Sequence, residues 1–230
     1  VARLRAALLE AEGLTSPPED WTRSYFLKPS LLRYLRGRGS HELALAALQA
    51  SLAWSKTTFT EILRKVEQEH PVHKNLMRKY TPEGTFGVDK RGVPVNYMRM
   101  GLRDTAGIIR EVGSDTYLRF YVDKIQRDGV AFLAASLKKE GCNTTMLDSV
   151  FVLDLEGISW NRGSSTVECI IWLSDNILKD HFPEVTQVSF ILNCPWYFSM
   201  GWTLLQPFIP ARTKEKFRIY GVGDNFLDEL

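Results

Sequence analysis

Hydrophobic positions recur along this chain at two different spacings, and the change between them divides it. In the first third the spacing is helical. A short amphipathic helix is predicted over residues 3–11, broken by Thr15-Ser16-Pro17-Pro18. From Lys28 to Arg36, Leu31, Leu32 and Leu35 share one face while Arg33 and Arg36 lie off it, which predicts a helix starting near Pro29 and closed by Gly37 and Gly39. From about His41 to Leu63, the residues Leu45, Leu48, Leu52 and Phe59 recur at spacings of three, four and seven, the stripe of a helix packed on one side. These predict a small all-α subdomain over residues 1–70, and His70-Pro71-Val72-His73 reads as the linker after it.

From Gly84 onward strands alternate with helices. Gly84–Val88 and Val93–Met98 around the charged turn Asp89-Lys90-Arg91-Gly92 predict a hairpin. A helix from about Thr116 to Lys139 follows, then a strand from Ser149 to Leu155 that is apolar on both faces, then a helix from Thr166 to Lys179. Val188–Leu192 is a short β-branched and aromatic run suited to a sheet covered on both sides. The alternation predicts an α/β domain over residues 75–230, a mixed sheet with helices packed on it.

One stretch does not fit an ordinary core. Pro195, which has no amide to donate to a ladder, ends the strand run at Asn193-Cys194. From Trp196 to Phe208 there are more large apolar groups (Trp196, Tyr197, Phe198, Met200, Trp202, Leu204, Leu205, Phe208) than one helix face holds. Such a helix is either buried all round or rests on protein with one side and meets something greasy with the other. Pro195 before it, Pro207 and Pro210 after it and Gly201 within it are hinge chemistry, and favour the second reading.

Composition narrows the field. The chain is 230 residues long, 44% hydrophobic and 24% charged, the profile of a globular protein, with no apolar run near the length of a membrane span. Its start, with Arg3, Arg5, Glu10 and Glu12, reads as a helix and not as a signal peptide. The opening on Val1 and the helix-like final GDNFLDEL fit a part of a larger protein. Three widely spaced cysteines, Cys142, Cys169 and Cys194, are expected as free thiols in a reducing, cytoplasmic setting. The net charge of +2 is uneven: residues 1–110 carry 18 Lys+Arg against 11 Asp+Glu, a surplus of seven, and the rest carries 11 against 16, a deficit of five. A basic first half suits an anionic headgroup or membrane surface, and equally a solvated helical face.

Enzyme signatures are missing: no G-x-S-x-G elbow, no Gly-rich phosphate loop, no G-x-G-x-x-G after a strand, no cysteine pair at zinc spacing. His70 and His73 are a poor metal pair because Pro71 lies between them, so no metal is expected. Cys194 followed by Pro195 and Trp196 lacks the amide-rich loop of a reactive thiolate, and reads as a small buried hydrophobe. Asp154 and Glu156 read as structural carboxylates. A hydrolase using Cys194 or Ser199 is a distant alternative.

Three ordered motifs carry a resemblance. LLRYLRGR over Leu31–Arg38, VLDLEGIS over Val152–Ser159, and F-P-E, F-I-L-N-C-P-W-Y-F-S and P-F-I-P-x-x-T-K-E-K between Phe182 and Lys216 resemble the CRAL-TRIO lipid-binding domains, above all the phosphatidylinositol/phosphatidylcholine transfer proteins among them. The resemblance implies a mixed-sheet floor, a hydrophobic pocket above it, and a helical gate over the pocket contributed by Trp196, Phe198, Met200, Gly201, Trp202, Leu205 and Phe208. It also implies headgroup contacts from Arg38, Glu184, Thr213 and Lys216. Gly39 and Val185 stand where the family often has further cations. Of the four positions matching the phosphatidylcholine contacts (Thr85, Asn96, Ser149, Phe151) only Ser149 agrees, so a choline would lose its aromatic walls.

The implied function is binding of a phospholipid, phosphatidylinositol favoured, and its transfer or presentation between membranes without covalent catalysis, by a monomer that touches membranes transiently and needs no cofactor beyond the lipid. Carriage of a sterol, tocopherol or retinoid, and lipid sensing within a larger protein, remain open beside it. The physics demands a gate in each case of carriage, because exposing the roughly 30 methylenes of a two-tailed lipid to water costs on the order of 25 kcal/mol at about 0.8 each.

Overall fold

A computed structural model describes residues 1–69, 73–90, 93–125, 149–209 and 211–225, and within them the chain forms two compact units. The first takes the described residues of 1–71, 118–125 and 174–185, and the second those of 72–117, 149–173 and 186–225.

The first unit is helical. Helix α1 (Ala2–Ala11), a 3₁₀ turn (Trp21–Phe26), α2 (Lys28–Arg38) and α3 (His41–Trp54) surround a core of Leu4, Leu8, Phe26, Leu31, Tyr34, Leu48 and Leu52. Asp20 caps the 3₁₀ turn through the Thr22 amide, and Ser40 caps α3 through the Leu43 amide. Helix α2 continues through Gly37, which the sequence marks as a stop, and ends at Arg38. Gly39 closes it at φ 78° with its N–H on Leu35 O. Gly37 instead allows a close approach: a Cβ there would lie 3.1 Å from Pro183 Cβ. The single helix expected from His41 to Leu63 is two helices joined by a π-helical turn over Ser55–Phe59, with α4 running Thr60–Glu69. The Ser55 and Thr57 hydroxyls there donate to the carbonyls of Leu52 and Ala53.

Helix α2 and helix α3 grip the segment after a second π-helical turn (Ser174–Leu178), namely the helical turn α9 (Lys179–His181) and Phe182–Glu184. Arg33 Nε donates to Pro183 O at 2.8 Å, Tyr34 OH to His181 O at 2.9 Å, and Arg38 Nη2 to Lys179 O at 2.9 Å. The His181 ring stacks on Trp54 with centroids 4.1 Å apart and meets Ser51 Oγ at 3.0 Å through Nδ1.

The second unit is built on a five-stranded sheet in the order β1 (Glu83–Val88), β2 (Pro94–Met98), β3 (Ser149–Asp154), β4 (Thr186–Cys194), β5 (Phe217–Gly221). β1 and β2 form the expected antiparallel hairpin, and the other neighbours are parallel. β4 is longer than Val188–Leu192 at both ends, because Thr186 still pairs with Ser149 and Cys194 with Gly221. One sheet face buries Val150, Val152, Phe190 and Leu192. The other carries Leu153, Ile191 and Phe217, with Leu155 and Cys194 at its end. Around the sheet lie α5 (His73–Tyr80), α6 (Thr105–Val112) and α8 (Trp160–Leu173), the last starting before the expected Thr166 and giving way to the second π-helical turn. The buried hydroxyls of Thr105 and Thr166 join α6 to α8 at 2.8 Å, and Arg103 is paired with Glu83 in a fully buried ion pair. Helix α7 occupies 114–125, and the rest of the helix expected to Lys139 lies outside the described residues, as do Cys142 and the His70–Val72 part of the linker.

Burial holds the His181 imidazole below its usual value of 6.5, with Arg38 acting in the same direction and Asp180 against it. A lowered value in the folded state means the unfolded chain binds more protons, so this contribution is complete above about pH 6.5 and fades as pH falls through and below it. Chemical denaturation between pH 7.5 and 5 should show the wild type losing more stability than His181→Phe, which keeps the stack on Trp54; parallel losses would exclude the histidine as a cause.

Candidate functional site

The segment singled out for its apolar excess forms helix α10 (Phe198–Leu205) and a 3₁₀ turn (Gln206–Phe208), followed by α11 (Ala211–Lys214) and β5. Asn193 takes φ 54°, a left-handed conformation that asparagine tolerates, and turns the chain out of β4 ahead of Pro195. Phe198 and Trp202 stack at 6.0 Å on the face of Leu155, Ile191 and Cys194, and Trp202 meets Phe217 edge-on at 5.1 Å. On the outward side Trp196 is 87% exposed and Met200 61%. Among the described side chains of this segment, protein covers Phe198 and Trp202 on one side, and the large apolar groups Trp196 and Met200 stay open. Gly201, Leu205 and Phe208 lie in the same helical run.

The expected headgroup residues are divided between the units. In the first, Arg38 is spent on the end of α9: its Nη2 reaches Lys179 O at 2.9 Å and Asp180 O at 3.3 Å, with the Asp180 carboxylate at 3.8 Å. A cation at a helix C-terminus satisfies carbonyls that have no partner within the helix. Glu184 is half-buried at φ 54°, an uncommon conformation for a glutamate, held next to the Pro183 carbonyl that Arg33 binds.

In the second unit Ser149 and Lys216 meet the start of β4, and Thr213 is tied to Lys216. Ser149 pairs with Thr186, Lys216 Nζ donates to Thr186 O at 2.7 Å, and the Lys216 amide donates to Thr213 O at 3.1 Å. The Lys216 ammonium therefore ties the segment before β5 to the first residue of β4. Thr85 and Asn96 bond each other across the hairpin at 2.8 Å, and Phe151 is half-buried in β3.

Sequence reasoning read Asp154 as a structural carboxylate but missed the partners that it gathers ahead of α10. Asp154, 5% exposed, accepts from Tyr97 OH at 2.5 Å, Asn193 Nδ2 at 2.8 Å and the Glu156 amide at 2.9 Å. Burial would raise its pKa, but these three hydrogen bonds outweigh burial and hold the carboxyl below the usual range, while the same bond to Asp154 pushes Tyr97 up to about 12. An aspartate closing an apolar strand was the available signal. Cys194 is a buried thiol that burial pushes up to about 11, the opposite of an activated nucleophile. Among the described residues no cluster of His, Cys, Asp and Glu could hold a metal ion, and no helix is long and apolar enough to cross a membrane.

Comparison with known proteins agrees with this architecture. The CRAL/TRIO domain family matches residues 78–229. A CRAL-TRIO domain-containing protein of Caenorhabditis elegans, T23G5.2, is 30% identical over 87% of this chain and 27% of its own length. The phosphatidylinositol/phosphatidylcholine transfer protein SFH12 of Arabidopsis thaliana is 28% identical over 77% of this chain and 34% of its own. The chain thus spans about a third of the curated relatives it matches. The crystal structure of Sfh5 superposes with a TM-score of 0.65 at 16% identity, covering 95% of this chain and 78% of that one, and so shares the fold. The chain belongs to the CRAL/TRIO domain family.

Proposed function

We propose that this chain binds a lipid against the sheet face beneath α10 and transfers or presents it at membranes, without covalent chemistry and with no cofactor besides the lipid. One observation carries the reading: α10 seats Phe198 and Trp202 on the Leu155, Ile191 and Cys194 face while Trp196 and Met200 stand exposed. A helix apolar on both sides can lift from the sheet against a bilayer without leaving its greasy surface in water, which lets acyl chains pass from membrane to protein directly. The names of the plant relatives, and Ser149 and Lys216 at the head of β4 with Thr213 bonded to the Lys216 amide, favour phosphatidylinositol as the cargo.

A second reading, a ligand without phosphate, is favoured by the engagement of Lys216 and of Arg38 on backbone carbonyls within their own units. A lysine ammonium carries three donors, so one such side chain can serve a backbone carbonyl and a phosphate together.

Transfer of fluorescent phosphatidylinositol and phosphatidylcholine between vesicles tests the proposal: measurable transfer supports it, and none of either lipid contradicts it. Gly201→Val adds a β-branched side chain at the flexible point of α10, and should slow transfer about tenfold with less than a threefold change in equilibrium binding; equal effects on both would argue against a moving helix. Thr213→Ala should weaken binding of phosphatidylinositol by about fivefold, a lost hydrogen bond, and leave phosphatidylcholine untouched. If Thr213→Ala weakens both lipids alike, the residue does not read the headgroup.

A further inference from the structure

Helix α10 hangs from two points, and both are set by one carboxylate. The first is the turn at Asn193, whose left-handed backbone directs the chain out of β4 and whose side-chain amide donates to Asp154 Oδ1 at 2.8 Å. The second is Tyr197, immediately before the helix, whose hydroxyl donates to Ile158 O at 2.9 Å. Ile158 belongs to the loop after β3, and the same Asp154 Oδ1 accepts the Glu156 amide of that loop at 2.9 Å. Asp154 Oδ2 is in turn held by Tyr97 OH at 2.5 Å.

The loop is backed by closely fitted backbone. Ile158 N–H bonds Leu155 O at 2.9 Å, Leu155 N–H bonds Leu192 O at 3.0 Å, and a Cβ at Gly101 would lie 1.8 Å from Glu156 O. Gly101 therefore lets a neighbouring backbone lie flat against the loop that presents the Ile158 carbonyl. Between the two points, Pro195 fixes one backbone torsion and the Phe198 amide returns to Pro195 O at 2.8 Å, leaving little slack in the connection. Lifting α10 from Leu155, Ile191 and Cys194 thus requires either the Tyr197 bond to break or the Asn193 turn to change.

We propose that Asp154 is a positioning residue for α10: through Asn193 on one side and through the loop that receives Tyr197 on the other, it sets how readily the helix leaves the sheet, and so the rate of ligand exchange. The inference rests on the lipid-carrier reading for its functional consequence, but the motion itself can be measured without a ligand. A charged acceptor with three donors in a buried setting makes stronger hydrogen bonds than a neutral one, which is the reason for a carboxylate here in place of an amide.

Two variants and a control test this. Tyr197→Phe removes the hydroxyl that makes the tether and keeps the ring. Asp154→Asn removes the charge and leaves one acceptor oxygen where two now take three bonds. Thr166→Val breaks the buried hydroxyl pair with Thr105 away from α10, and controls for general loss of stability. Amide hydrogen exchange of residues 198–205, compared at matched distance below each variant's unfolding midpoint, should be about tenfold faster in Tyr197→Phe and in Asp154→Asn than in wild type and Thr166→Val, the effect of one hydrogen bond of this kind. Uptake of pyrene-labelled phosphatidylinositol from phosphatidylcholine vesicles should accelerate by a similar factor, with equilibrium binding changed less than threefold. Exchange of the α10 amides that is no faster than in Thr166→Val, read in Tyr197→Phe alone should Asp154→Asn fail to fold, would overturn the proposal. Wild-type protein that takes up no pyrene lipid would instead remove the carrier reading, and with it the link from Asp154 to ligand exchange, while the α10 amides still report whether Asp154 positions the helix.

Discussion

In the proposed lipid carrier everything depends on one packing contact, the seating of Phe198 and Trp202 on Leu155, Ile191 and Cys194. For a helix that gates a lipid, such a contact has to be good enough to keep the sheet face dry and weak enough to be given up. Two stacked aromatic rings with an edge-on partner in Phe217 supply a large apolar area with few polar obligations. A helix held by ladder hydrogen bonds or ion pairs would not exchange one apolar surface for another so cheaply. Trp196 and Met200 are the converse: an exposed indole and a flexible exposed thioether are the side chains that the proposed encounter with a bilayer interface would use.

The polar groups of the second unit serve that contact by fixing what surrounds it. Asp154 organises the strand end and loop that lead into α10, and Lys216 joins the segment before β5 to the head of β4. In the first unit the same economy holds. Arg33, Tyr34 and Arg38 from one helix bind three successive stretches of carbonyl in Lys179–Pro183, so the basic signature helix is a structural clasp as well as a source of positive charge. A positively charged residue matched to a family's headgroup contact can hold the protein together at the same time.

Much of this was legible in the sequence, and the exceptions have physical causes. The hairpin, the parallel strands and the apolar helix between prolines follow from periodicity and from residues that cannot extend a ladder. The interruption of α3 by a π-helical turn at Ser55–Phe59 leaves the hydrophobic stripe almost in phase, with Leu48, Leu52 and Phe59 all buried, so periodicity could not reveal it. Gly37 looked like a helix stop because a glycine near the end of a helical pattern usually is one; its role is to admit Pro183, a contact nearly 150 positions away in the chain. Ser149, Thr213 and Lys216 were placed by resemblance alone, and the structure adds that Ser149 and Lys216 meet at Thr186 while Thr213 bonds the Lys216 amide. The Tyr97, Asp154 and Asn193 cluster escaped because its members are far apart in sequence and each is unremarkable alone.

The central claim is that α10 is a removable cover over a lipid held on the sheet. Mass spectrometry of small molecules extracted from the purified protein, with stoichiometry against protein, tests it most directly. The account predicts a lipid with long hydrocarbon chains or a polycyclic apolar skeleton at close to one per chain. Protein that carries no apolar molecule, and that captures none after incubation with phosphatidylinositol, phosphatidylcholine or sterol vesicles, would contradict it.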